Sequence, residues 1–425
     1  MTDFVVPLEA AEEASPERIG PKAANLAALA RTGLPTPGGF ALSAAAYRTQ
    51  IKALALEPLL TRFAAADARE QRRLAVDIRL ALYEQPIAGD IADPLLEAWG
   101  IQRAGSTANT AVRSSALIED RAGATFAGQF ESFLGIDEEP AFLTAVRACW
   151  AALWTTNARR YMDNYGLSAQ GTAMAVLVQP VVNALASGGG LSETAEGAML
   201  ISATWGLGSA IAQGEVVPDR IVLSRQGFVR KIDAGRKDHR ATCGHGASAE
   251  PVPVDLAQAP SLTPAQATTL GRLMRKAEHV IGAPIEIEWA LDQNGFKLLQ
   301  ARPLVIEPTA VPDEIWLKHP GLNGHPAGVG WGAGRAVVVS CECELSRVAP
   351  GDVLVTKVAG PSLSRVLPRV AGVVAELGGS TSHLASLARE RSIPMVLGVL
   401  DATWHIPDGA QVAVDGIAGV VRWLR

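Results

Sequence analysis

The sequence predicts an α/β (α+β) protein built from more than one module. Three observations carry this. Helix and strand signals alternate along the whole 425-residue chain. Hydrophobic content is 48%, much of it alanine and valine, while aromatics make up only 5%, which suits packed α/β modules better than disorder. From about residue 317 the rhythm changes to short strands separated by turns. At about 100–200 residues per domain, such a chain holds two to four modules.

The elements follow in order. "GPKAANLAALARTGLPTPGGFALS" predicts a loop, a helix ending at Gly33 and a Pro-rich turn into a strand. Residues 55–104 carry leucines and alanines at helical spacing. "TANTAVRSSAL" opens as a strand and turns, and "TFAGQFESFLGI" is a small-residue loop before an apolar run. "GTAMAVLVQPVV" is continuously apolar and of strand length, hence a buried strand. "SGGGLSETAEG" reads as a turn-rich break, after which strands resume around "GLG". "TPAQATTLGRLMRKAEHVIG" is a helix with Thr263 as cap and Pro264 at its first position. "IEIEWAL", "DQNG" and "FKLLQARPL" form a hairpin, followed by a proline-containing linker at "VIEPTAVPDE". Beyond it lie "AVVVS", "GDVLVTK", "AGVVAEL", "QVAVDG" and "GVVRWL", with one helix over about 382–391.

Composition excludes several classes. Net charge is −5 and no long basic run occurs, so nucleic acid is not an expected partner. Apolar runs fall short of the roughly 20 residues a membrane helix needs. The acidic N-terminus lacks the basic start and apolar core of a signal peptide, and the expected location is cytoplasmic. Four cysteines in a chain this long argue for a reducing compartment. Cys341 and Cys343 form an isolated C-x-C without the two further ligands of a zinc site, so they are expected to be ordinary strand or loop cysteines.

"GGSTSHLASLARERSIPMVLG" carries the first chemical signal. Gly378 and Gly379 turn the chain, Thr381 or Ser382 caps a helix, and His383 falls in its first turn. Backbone amides there are unpaired and partly positive, which lowers an imidazole pKa and holds an attached anion. The stretch also suits a satisfied histidine at a helix start. Lys22, after a Gly-Pro turn, is a candidate phosphate contact, although exposed lysines at helix starts are common. In "VRSSALIEDRAGATFAGQFESF", Arg113 follows a short strand, Gly128 permits close backbone approach, and Gln129 and Ser132 offer donors. This resembles a phosphate cradle without matching the Walker pattern. In the hairpin, Glu286 and Glu288 share one strand face, as do Gln300 and Arg302 on the return strand. Glu288 opposite Gln300 demands an odd-length loop or a bulge at "DQNG"; that pair suits Mg²⁺, with Arg302 on phosphate. Taken alone, the same residues read first as a solvated polar hairpin face.

Together, "GPKAANLAALARTGLPTPGGF", "VRSSALIED…TFAGQFESFL", "GLG…QGEVVPD", "IEIEWAL…LLQARPL" and the histidine stretch resemble the dikinase superfamily, which includes phosphoenolpyruvate synthase, pyruvate phosphate dikinase and rifampin phosphotransferase. The resemblance runs in the family's order over nearly the whole chain. It implies a two-lobed ATP-grasp nucleotide-binding domain over 1–307 (lobes about 1–195 and 196–307), a linker at 308–316, and a swivelling phosphohistidine domain over 317–425. It further implies that ATP is co-substrate with Mg²⁺ (or Mn²⁺), and that His383 takes the β-phosphoryl group and passes it to a small-molecule acceptor, releasing AMP and phosphate. By motif, Lys22, Arg113 and Arg302 contact phosphates, Gly128, Gln129 and Ser132 cover them, Gln179 lies near the adenine, Glu288 and Gln300 hold the metal, and Gly379, Thr381 and Ser382 support His383. Two stretches depart from the pattern: Ser209 stands where "GLGE" has glutamate, and "ASGGGLSET" replaces the usual "SGV-F-T". The family's pyruvate barrel and macrocycle-binding insertion have no counterpart here. The expected alternatives are therefore a complete small-molecule kinase, a phosphocarrier subunit whose acceptor sits on a partner protein, and, least supported by the intact motifs, an inactive nucleotide-binding module.

Overall fold

Local backbone chemistry sets the first elements. The computed structural model describes residues 4–9, 14–105, 108–119, 130, 132–194, 197–244, 246–304, 319 and 321–424. Strand β1 (Val5–Pro7) precedes helix α1 (Pro16–Arg31), which is kinked at Gly20, φ 76° and ψ 156°. Pro21 explains the kink, because the residue before a proline avoids the helical region. Glycine is required as well, since a Cβ at Gly20 would collide with Ser115.

The first of two compact units spans 1–183 together with 243–248 and 297–302. After α1 come β2 (Phe40–Leu42), α2 (Ala44–Ala53), α3 (Glu57–Ala65), α4 (Ala68–Glu84) and α5 (Gly89–Ala104). Then follow β3 (Thr110–Ala116), β4 (Ser132–Ile136), α6 (Glu139–Ala152), α7 (Thr156–Asn164) and β5 (Met174–Pro180). Their sheet runs β1-β2-β5-β3-β4 with antiparallel neighbours. β5 is buried from Met174 to Gln179, as its continuous apolar run requires. Aromatics fill the helical side: Trp99 stacks on Phe142 at 4.5 Å, and buried Trp154 donates to the Tyr47 hydroxyl at 2.8 Å.

The second unit takes 184–242, 249–296 and 303–425. Its elements begin with β6 (Ala186–Leu191), β7 (Met199–Trp205), α8 (Ser209–Ala212), β8 (Asp219–Leu223) and β9 (Val229–Asp233). The hairpin β10 (His239–Gly244) and β11 (Gly246–Pro251) precedes α9 (Val254–Ala257), α10 (Pro264–Ile281), β12 (Ile285–Asp292) and β13 (Gly295–Pro303), of which residues 243–248 and 297–302 are counted with the first unit. The sheet order is β13-β12-β6-β7-β8-β9. Thr263 caps α10 in a reciprocal box with Gln266, and Gly282 ends it at φ 80°.

β6 corrects an expectation. The "SGGG" stretch, taken as a turn-rich break, is a fully buried strand between β12 and β7. Its glycines are needed for close approach rather than turning. A Cβ on Gly188 would meet the Ser202 backbone, one on Gly189 would lie 2.5 Å from Thr381 Cβ, and one on Gly190 would lie 2.8 Å from Met274 Cε. Near β8 the chain buries a complete polar knot. Lys237 pairs with Asp219, whose carboxylate also accepts from Gly235 N at 2.8 Å and from Ser261 N at 2.7 Å. A carboxylate and an ammonium can be fully buried here because each has partners.

The remaining strands form one sheet: β14 (Gly321–Asn323), β15 (His325–Pro326), β16 (Trp331–Val339), β17 (Val353–Thr356) and β18 (Gly372–Ala375). They are joined by α11 (His383–Glu390), β19 (Met395–Leu397), α12 (Ala402–His405), β20 (Gln411–Asp415) and β21 (Val420–Trp423). Its order is β14-β21-β20-β16-β17-β18-β19-β15, parallel from β16 to β19 and antiparallel at β14–β21, where Gly321 faces Arg422. Cys341 and Cys343, expected as ordinary unpaired cysteines, are joined in a disulfide at the exposed start of a short turn; their Cα atoms are 5.4 Å apart, within bridging reach. Among the described residues no helix is long and apolar enough to cross a membrane.

Two outcomes are expected. Gly188→Ala should lower stability by about 1–3 kcal/mol in urea unfolding, because the Ser202 backbone cannot yield cheaply. Gly100→Ala, exposed within α5 with nothing near its Cβ, should instead stabilise by up to about 1 kcal/mol. The second outcome concerns acid. Burial, reinforced by Arg220, lowers the His325 pKa from 6.5 to about 4. Unfolded histidine therefore binds a proton that the folded one refuses, so stability should fall as pH drops from 6.5 towards 4, by roughly 3 kcal/mol. His325→Gln should flatten that part of the stability–pH curve.

Candidate functional site

In the first unit, cations gather beside β3. Lys22 opens the second segment of α1, directly after the Gly20 kink. Its Nζ donates to the Ser114 carbonyl at 2.9 Å and lies 3.3 Å from a Glu119 oxygen. Arg113 donates to Leu299 O and to Gln300 Oε1, both at 3.3 Å. Arg302 is buried, and its charge acts on Glu119. Burial pushes the Glu119 carboxyl above the ordinary carboxylate range, and the Lys22 and Arg302 charges oppose that rise. Lys22, Arg113 and Arg302 thus lie on the elements around β3, with Glu119 paired to Lys22 and under the charge of Arg302.

Backbone register places two more expected residues near Arg113. Ser132 lies directly opposite it on β4 and is exposed. Gln179 lies opposite Ala111 on β5, so it shares a sheet face with Arg113. Its amide donates to Gly38 O at 3.2 Å. The neighbouring Gly39, φ 112°, has its Cβ position 3.1 Å from Gln179 Cα, so the Gly38–Gly39 turn presses on this strand. Gly128, Gln129 and the 308–316 linker lie outside the described residues.

The histidine is mounted in the second unit. Gly378 has φ 100°, and a Cβ on Gly379 would run into Pro218. Ser382 is the N-cap of α11, accepting from Ala385 N at 3.2 Å, and half-buried His383 is the first helical residue. Thr381 Oγ1 is buried with no hydrogen-bond partner among the described residues. The side chain of Thr381 packs where Gly189 has no Cβ. Gly189 is directly opposite Glu288 on β12, so the turn before His383 rests on the sheet face that bears Glu288. Glu288 is half-buried in this unit, while Gln300 belongs to the first. Ser209, the departure from "GLGE", opens α8 and is half-buried.

Two participants escaped the sequence reading. Glu119 sits only six residues after Arg113, and the "IED" acids following the strand were the available signal. Glu286 was read only as a second carboxylate on the Glu288 face. It is buried, 3.0 Å from Ser386 Oγ and 3.0 Å from an Arg389 nitrogen. That partner is 103 residues away in sequence, so no local pattern announces it.

Comparison of the sequence with known proteins identifies a family. Residues 16–315 match the model described as pyruvate phosphate dikinase, AMP/ATP-binding domain. Residues 348–419 match the PEP-utilising enzyme, mobile domain. A probable phosphoenolpyruvate synthase of Methanothermobacter thermautotrophicus is 30% identical over 415 residues, covering 95% of this chain and 61% of that protein. The phosphoenolpyruvate synthase of Aeropyrum pernix is 32% identical over 457 residues, covering 95% and 56%. That of Escherichia coli is 31% identical over 436 residues, covering 95% and 55%. The chain therefore spans a little over half the length of these curated relatives. With the nucleotide-domain match covering well over half of its residues and the mobile-domain match following in order, the chain belongs to the pyruvate phosphate dikinase family.

Proposed function

We propose that the chain is an ATP-dependent dikinase-type phosphotransferase in which His383 carries the phosphoryl group. In this reading 1–307 is a two-lobed ATP-grasp domain, 308–316 a linker and 317–425 a swivelling phosphohistidine domain. The observation that carries the reading is the mount of His383: first turn of α11, beside a buried and unpartnered Thr381 hydroxyl, against the strand face bearing Glu288. Helix-start amides and a spare hydroxyl are donors in search of an anion, and a phosphoryl group on the ring supplies one.

The remaining residues take roles by charge. Lys22, Arg113 and Arg302 neutralise the triphosphate, with the 128–132 loop, including Gly128, Gln129 and Ser132, over it and Gln179 beside the adenine. Mg²⁺ (or Mn²⁺) fits the donor set, because a carboxylate from Glu288 and a carboxamide oxygen from Gln300 suit a hard cation completed by phosphate oxygens and water. When bound, such an ion neutralises phosphate charge. An imidazole nitrogen attacks the β-phosphorus and its bond to the AMP oxygen breaks. One water is consumed as the terminal phosphate leaves, and the β-phosphoryl group stays on His383 for the acceptor. The relatives are named for making phosphoenolpyruvate, so pyruvate is the first acceptor to assay.

Incubation with Mg·ATP labelled in the β-position should place an acid-labile phosphoryl group on His383, and His383→Ala should lose it. Equal labelling of the alanine variant sinks the mechanism. Glu288→Gln should slow labelling about a hundredfold while leaving thermal unfolding unchanged, because its side chain serves the ion rather than the core. A normal labelling rate in that variant moves the metal elsewhere.

A further inference from the structure

Glu286 has no part in the phosphate contacts described above, yet it is buried beside α11. Residues 321–424 fix their own half of the contact. Arg389 donates to the carbonyls of Ala327, at 3.3 Å, and Ser380, and to Ser386 Oγ at 3.2 Å. Its guanidinium is thereby oriented by groups within 321–424 as well as by the carboxylate. Glu286, from β12, then accepts from Ser386 Oγ at 3.0 and 3.2 Å and pairs with Arg389 at 3.0 Å, with both charged side chains 9% exposed.

Three geometric facts join this contact to His383. Ser386 stands one helical turn beyond His383, so both project from the same face of α11. Arg389 holds the Ser380 carbonyl, which begins the Ser380–Thr381–Ser382 run into the histidine. Glu286 and Glu288 are two residues apart on β12, opposite Leu191 and Gly189, and so share a sheet face at a spacing of roughly 7 Å. A carboxylate that captures Ser386 and Arg389 therefore sets where the histidine turn lies along the strand that bears Glu288. Gly189 completes the seat by leaving room for Thr381.

We propose that Glu286 is the positioning residue of phosphoryl uptake: its contact with Ser386 and Arg389, with Thr381 seated on Gly189, docks α11 so that His383 meets the nucleotide. The swivelling reading requires this docking to be reversible, each member of the pair regaining water when it opens. This rests on the reading of His383 as the phosphoryl acceptor, but docking itself can be measured without ATP.

The test uses the full chain, Glu286→Gln and Gly189→Ala, with two readouts. Amide hydrogen exchange without nucleotide should rise at least tenfold in both variants over 378–390 and 186–191, while β16 and β20 keep their protection. Labelling of His383 by Mg·ATP should slow at least tenfold, with the half-saturating ATP concentration unchanged, because Lys22, Arg113 and Arg302 are untouched. Unchanged exchange in both variants overturns the dock. Faster exchange with a normal labelling rate overturns the positioning role, as does a labelling loss that arises through weaker ATP binding. If wild-type protein never labels, the phosphohistidine reading fails and with it the positioning role; the exchange data then decide only whether the contact is a dock.

Discussion

One strand with three consecutive glycines governs the second unit. Gly188, Gly189 and Gly190 lie at the middle of its sheet, and each removes a Cβ that something else occupies. On one face the vacancy admits Met274 of α10; on the other it admits Thr381. The strand backbones themselves close up at Gly188 and Ser202. The usual cost of glycine in a strand, lost chain entropy and lost packing, is offset by three close approaches that no larger residue allows. The sheet can therefore be covered on both faces at short range, by α10 and by the turn that carries His383.

Charge is managed differently in three places. Asp219 and Lys237 are wholly buried and fully partnered, which makes them a structural knot. Glu119 is buried too, but burial raises its pKa while the Lys22 and Arg302 charges oppose that rise. Glu286 and Arg389 join segments far apart in sequence in a pair that is nearly as buried.

Much of this was legible in the residues. The apolar run of β5, the Thr263 cap and the histidine helix follow from local rules of burial and hydrogen bonding, and the structure has them where the pattern predicts. What failed is equally physical. "SGGG" carries the composition of a turn, and only the bodies packed against it demand a strand. The C-x-C bridge turns on an approach of two Cα atoms that residue types do not specify. Glu119 and Glu286 gain meaning only from Lys22, Arg302 and Arg389, partners brought by tertiary folding. Lys22, Arg113 and Arg302 could be singled out because their motifs are short and local, whereas their mutual geometry is not.

The pairing of β14 with β21 has a bearing on how this chain acquires its structure. Gly321 to Asn323 are made about a hundred residues before the strand they pair with, while the parallel β16–β17–β18 core is assembled from near neighbours. Contacts of long sequence separation form late, because loop-closure entropy must be overcome first. On a ribosome, β14 waits unpaired until Val420–Trp423 emerge, and β20 meanwhile presents an open edge. Synthesis of Val420–Trp423 is thus the step that covers the open edge of β20 and gives β14 its partner.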